Sequence, residues 1–80
     1  MSSPGRLTSA WRGGYEGRAG WWFSFQYDAD KVEELKAAIP HIDRTWDSYR
    51  KLWWAAIEYE DTLFNLWPEF ESYKSQLAMF

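Results

Sequence analysis

Eighty residues with a formal net charge of −3, no cysteine and 21% aromatic side chains, seven of them Trp, predict one small domain whose core is built largely from rings. The lack of Cys excludes disulfides and thiolate metal sites, and no run of about 18 apolar residues is present to span a bilayer. The N-terminus carries no apolar signal-peptide segment, so a soluble, cytoplasmic protein is expected.

Residues 1–6 read as a disordered lead-in rich in Ser, Pro and Gly. Residues 7–67 read as a single α+β domain and residues 68–80 as a C-terminal helix. Leu7 to Arg12 is expected to form a first strand of weak alternation, ending at the turn signal Gly13-Gly14. Gly13 to Gly20 then forms a flexible basic loop around Arg18, and the first strand pairs antiparallel with the next through it.

The chain is organised around Trp21-Trp22-Phe23-Ser24-Phe25-Gln26-Tyr27-Asp28. Its odd positions are all aromatic, which is the period-2 pattern of a half-buried strand. Asp28 then offers a carboxylate to the free N–H groups of a following helix. That helix is expected over Asp28 to Ile39, with Val32, Leu35, Ala38 and Ile39 on one face, and Pro40 stops it. Ile42 to Asp47 reads as a short strand, Asp47 to Arg50 as a turn, and Lys51 to Ile57 as the second aromatic strand, the pair forming a hairpin. A second helix follows from Glu58 to Trp67, with Tyr59, Leu63, Leu66 and Trp67 inward and Glu58, Glu60 and Asp61 solvated in its first turn. Pro68 suits the first turn of a third helix. There Phe70, Tyr73, Leu77 and Phe80 share one face, large enough to pack on the domain or on a second copy. The expected fold is α+β: a small antiparallel sheet (ββαββ) with helices packed on one face and a helical C-terminal tail.

Charge is segregated along this plan. Residues 1–27 and 36–57 each carry +2, whereas residues 28–35 carry −3 and residues 58–71 carry −5. The predicted strands and their loops are basic and the helices acidic, so an acidic protein can still present one basic, aromatic face.

Catalysis finds little support. The single His, His41, stands between Pro40 and Ile42, and no phosphate-binding Gly loop or H-E-x-x-H pairing is present. Asp28 and Asp30 are explained by helix capping. No enzyme activity, cofactor or metal is expected. The positive signal is aromatic rings interleaved with cations, the combination by which single-stranded nucleic acid is held through base stacking and backbone contacts. Trp22, Tyr49 and Trp53 are the candidate stacking rings, with Arg44, Arg50 and Lys51 as the candidate cations. Trp21, Phe23, Phe25 and Trp54 are expected in the core facing the helices, and Trp22 and Trp53 on the opposite parity.

The order Phe23-x-Phe25-x-Tyr27-Asp28, Val32, Lys36, Ile39-Pro40, Trp46-Asp47, Lys51 and Trp53 resembles the HepA-related (HARP) domain, over residues 22–57. That domain accompanies SWI/SNF-type annealing helicases and recognises DNA structure, especially forks and single-strand/double-strand junctions, with no activity of its own. The resemblance implies that Lys36, Arg44 and Lys51 touch phosphates while Trp46 or Trp53 supports or stacks. No helicase motor is present, and the chain from Glu58 onward is strongly acidic. Two functions are therefore expected to compete. One is a non-enzymatic module for single-stranded or forked DNA. The other is a protein-interaction module that binds a DNA-processing enzyme through exposed aromatics and acidic helices. A homodimer through the C-terminal helix is a third expectation.

Overall fold

A computed structural model describes residues 5–77, with side chains as far as Tyr73. Residues 1–4 of the expected lead-in, and the outer part of the tail face at Leu77 and Phe80, lie outside the described side chains. Four strands, β1 (Leu7–Arg12), β2 (Gly20–Phe25), β3 (Arg44–Asp47) and β4 (Leu52–Ala56), form one sheet in the order β1-β2-β4-β3. All three pairings are antiparallel. Helices α1 (Ala29–Ala38), α2 (Glu60–Leu66) and α3 (Phe70–Leu77) complete an α+β fold.

The weak alternation of β1 has a local cause. Its pairing with β2 shifts register between Leu7 and Ser9, and such a bulge adds one residue to the strand. Leu7 and Ala10, three positions apart, are thereby both buried against the same core. β2 runs almost directly into α1: Asp28 caps the helix by accepting from the Asp30 N–H at 2.9 Å, and Ile39 closes it by donating to the Leu35 carbonyl. Leu35 and Ile39 are buried, as the helical spacing predicts.

The helix-side core unites Trp21, Phe23 and Ala55 of the sheet with Leu35, Leu63, Trp67 and Phe70. Trp21 and Phe23 meet the Phe70 ring edge-on at 5.3 and 5.6 Å, a geometry that adds about 0.5–1.5 kcal/mol per pair beyond area burial. Phe70 is fully buried, so the first turn of α3 packs on the sheet of its own chain. The Trp67 indole N–H donates to the Gly5 carbonyl at 2.6 Å, and Arg6 O accepts from Gln26 N at 2.9 Å. Gly5 and Arg6 are therefore tied to the body of the fold, although both fall within the expected lead-in.

Three expectations are corrected. β4 presents its residues to the faces opposite to those expected: Trp54 stands across from Trp22, and Trp53 across from Phe23. Residues directly opposite share a face, so Trp53 is on the helix side and Trp54 on the other. Every residue of Leu52-Trp53-Trp54-Ala55-Ala56 is apolar, so the strand carries no alternation of its own; pairing with β2 decides. β3 begins at Arg44, not Ile42, because His41–Asp43 makes a 3-10 turn that leaves the Ile42 side chain 70% exposed. Likewise Ile57–Tyr59 is a 3-10 turn and α2 starts at Glu60, since Ile57 N is still bound to the Ala19 carbonyl at 3.0 Å beside the sheet.

Among the described residues, the second face is covered by no helix. Trp22, Leu52, Trp54 and Ala56 form a small core there with Tyr15 and Tyr59 against it. The cover is the expected flexible loop, which instead folds into a hydrogen-bonded turn: Tyr15 and Arg18 exchange both backbone bonds at 2.9 and 3.0 Å. Glu16 and Gly17 between them have φ of 50° and 78°, the pair of positive values that a two-residue hairpin turn requires. The Gly13 and Gly14 carbonyls accept the Trp54 and Trp22 indole N–H groups at 3.0 and 3.2 Å. Gly13 sits so close that a Cβ there would lie 2.6 Å from the Trp22 ring.

Candidate nucleic-acid interface

The eight sequence-derived site residues divide between the two faces of the sheet. Lys36, Arg44, Trp46 and Trp53 converge on a groove of about 510 Å³ between α1 and β3, lined also by Tyr27, Val32 and Thr45. Lys51 lines an adjoining hollow of about 160 Å³ that shares Tyr27, Val32, Trp46 and Trp53. Trp53 lies in the floor because β2 pairing turns it to the helix side. Trp46 faces it across β3–β4, the ring centroids 5.1 Å apart and inclined at 47°. Trp46 is 46% exposed and Tyr27 81% exposed, so both present open ring surface to the groove.

The cations sort by whether they are already partnered. Arg12 pairs with Glu60 at 3.1 Å, Arg18 with Asp43 at 2.7 Å, Lys31 with Glu34 at 3.8 Å and Arg50 with Asp47 at 2.8 Å. Among the described residues, Lys36, Arg44 and Lys51 have no carboxylate within ion-pair distance. Arg44 is nevertheless held, its Nε donating to the Ile39 carbonyl at 2.9 Å. This leaves its terminal amino groups directed by a fixed stem. An aromatic groove ringed by uncompensated cations attracts anionic, planar ligands and repels cationic ones.

Trp22, Tyr49 and Arg50 are elsewhere. Trp22 is buried on the second face, between the Tyr15 ring, edge-on at 5.9 Å, and the Arg50 guanidinium at 4.4 Å from its centroid. Trp22 is thus packed into the second-face core, and the expectation of an open stacking ring there is corrected. Arg50 is spent on Trp22 and Asp47. Tyr49 stands 94% exposed at the tip of the β3–β4 turn, outside the groove.

Tyr27 escapes sequence reasoning as a groove residue because its odd position continues the inward series of β2. The strand ends at Phe25, and the connection to α1 turns Tyr27 outward. Glu60, expected as a solvated first-turn carboxylate, is instead engaged. Its Oε2 accepts the Trp21 indole N–H at 2.8 Å and an Arg12 N–H at 3.1 Å.

The chain matches no family model, no curated protein and no solved structure. The chemistry of the groove is therefore read from its own residues. His41 is exposed on its 3-10 turn, and among the described residues no three His, Cys, Asp or Glu side chains are grouped to hold a metal. Burial holds the Tyr59 hydroxyl above the ordinary tyrosine range, with Asp43 adding to it; this cluster with Arg18 joins the hairpin turn to the 3-10 turn before β3.

Proposed function

We propose that the protein is a non-enzymatic module that holds single-stranded nucleic acid in the α1–β3 groove, alone or where a single strand leaves a duplex. The observation that carries this reading is the placement of Lys36, Arg44 and Lys51, three cations without carboxylate partners among the described residues, around the Trp46, Trp53 and Tyr27 rings. Bases stack on such rings irrespective of sequence, each contributing about 1–3 kcal/mol, while the cations follow the phosphates. A groove between a helix and an edge strand admits an unstacked base more readily than the side of an intact duplex. The HARP-like residue pattern adds Lys36, Arg44 and Lys51 as phosphate contacts and favours forked DNA among the ligands.

The test is binding of labelled single-stranded, duplex and forked DNA across a salt series. Single-stranded and forked DNA should bind more tightly than duplex. Neutralising Lys36, Arg44 and Lys51 together should weaken binding to all sequences alike. On single strands it should also flatten the salt dependence, by about 0.7 in slope for each cation that no longer meets a phosphate. Arg50→Gln should leave that slope unchanged, because its charge is already matched by Asp47. If the folded triple variant keeps the wild-type affinity and slope, the groove is not the site. If no DNA binds even at low salt, a protein partner for the same aromatic surface becomes the better reading.

A further inference from the structure

The two edges of the sheet differ in how their backbone is covered. On β1, the Leu7 N–H donates to Glu69 Oε2 at 3.3 Å, and the Thr8 carbonyl accepts from the Tyr73 hydroxyl at 3.3 Å. Side chains from α3 and the segment before it thus occupy backbone groups at the Leu7–Thr8 end of that edge. β3 has no such cover: among the described residues, no hydrogen bond from outside the β3–β4 ladder ends on the backbone of Thr45, Trp46 or Asp47. A strand paired on one side only leaves alternate N–H and C=O groups open, a template for another strand. Ile42, Trp46 and Tyr49, three exposed large apolar side chains, all belong to β3 or the segments that flank it.

We propose that β3 pairs antiparallel with β3 of a second copy of this chain, about a two-fold axis at Trp46, joining the two sheets into one. An antiparallel two-fold pairing sets residues of equal parity opposite each other. About Trp46 it places the two Trp46 rings together, Thr45 against Asp47 of the second copy, and Arg44 against Ser48 of the second copy. No like charges meet, and a Thr45 hydroxyl stands across from an Asp47 carboxylate that can accept from it. The half-exposed indole of each copy finds an aromatic partner of its own kind. This self-complementarity of Arg44-Thr45-Trp46-Asp47 is what selects a second copy as the occupant. The Glu69 and Tyr73 bonds to Leu7 and Thr8 hinder the same pairing at that end of β1, which favours a dimer joined at β3. Arg44, Thr45 and Trp46 belong both to this edge and to the groove lining, so the pairing brings the two grooves together. It sets the two grooves on either side of the paired Trp46 rings.

The proposal is tested on the full chain by sedimentation and light scattering over a micromolar-to-millimolar series. Wild type should move from 9.6 kDa towards twice that mass, and the Trp46 amide should exchange more slowly as concentration rises. Thr45→Asp sets a carboxylate against Asp47 of the second copy and should raise the dimer dissociation constant several-fold. Thr45→Lys sets a cation there and should lower it. Near-UV circular dichroism establishes that both variants are folded. A wild-type chain that remains at 9.6 kDa with unchanged Trp46 exchange overturns the proposal. So does a dimer that responds identically to the two charges, since a register about Trp46 distinguishes their sign. None of these readouts involves nucleic acid, so they fail or succeed separately from the groove's ligand.

Discussion

Asp47 holds the β3–β4 turn with one carboxylate. Its Oδ1 accepts the Tyr49 and Arg50 backbone N–H groups, each at 3.0 Å, and its Oδ2 accepts Arg50 Nε at 2.8 Å. The Arg50 side-chain bond, followed by the Arg50 backbone bond, holds this carboxyl below the usual carboxylate range. A group whose pKa is lowered in the fold stabilises it above its unfolded value, and that contribution is lost as pH falls through the lowered value. The turn should therefore persist through the range where free Asp protonates, near pH 3.9, and loosen only in stronger acid. A pH titration followed at the Tyr49 and Arg50 amides by NMR checks this; a midpoint at the ordinary Asp value would contradict it. The same titration should release Arg50 from the Trp22 ring, and Asp47→Asn should show that release at neutral pH. Opening that ring face is a residue-scale event, since the groove lies on the other side of the sheet.

At the scale of elements, α1 matters most, because its buried face forms core while its far flank supplies Lys36 and Val32 to the groove. Leu35 is fully buried among Phe23, Trp67 and their neighbours in one cluster. Leu35→Ala should cost about 2–5 kcal/mol, a large share of the 5–15 kcal/mol typical of a whole domain. A thermal melt checks it, and a melting temperature equal to wild type would mean that the helix does not anchor the sheet. The sequence made α1 legible through its cap at Asp28, its spacing of Leu35 and Ile39 and its stop at Pro40. β1, β2 and the β3–β4 hairpin were legible too, from alternation and turn residues. The faces of β4 were not, because a strand that is apolar throughout takes its parity from a neighbour distant in sequence. The same fact governs the site. Lys36, Arg44, Lys51 and Trp46 could be named from the chain, but only the register places Trp53 beneath them and turns Trp22 away. Whether a cation is already paired is in part a tertiary matter: Arg12 and Arg18 meet their carboxylates far along the chain, whereas Arg50 meets Asp47 within its own turn.

At the scale of the molecule, the net charge of −3 conceals a division of labour between faces. Helices cover one side of the sheet, and the Tyr15–Arg18 turn covers the other with two glycine carbonyls aimed at indole N–H groups. Tryptophan thus serves as a tie as well as a filler: Trp21, Trp22, Trp54 and Trp67 each donate an N–H across the fold. The β1 edge depends on ties of the same long reach, from Glu69 and Tyr73. Removing residues 69–80 takes away both caps and uncovers the apolar surface beneath Phe70. The truncated chain should melt at lower temperature and form assemblies larger than a dimer, as read by sedimentation. Unchanged size and melting would show that α3 closes nothing.

Glu69 lies 62 residues beyond Leu7, whose N–H it accepts, and that separation has a meaning during synthesis. A ribosome adding about 5–20 residues per second needs several seconds to cover the distance, whereas a hairpin forms in roughly 1–10 μs. β1 and β2 are able to pair long before the side chains that cover their outer edge exist. The β1–β2 hairpin therefore lacks the Leu7 bond to Glu69 until that residue has been added.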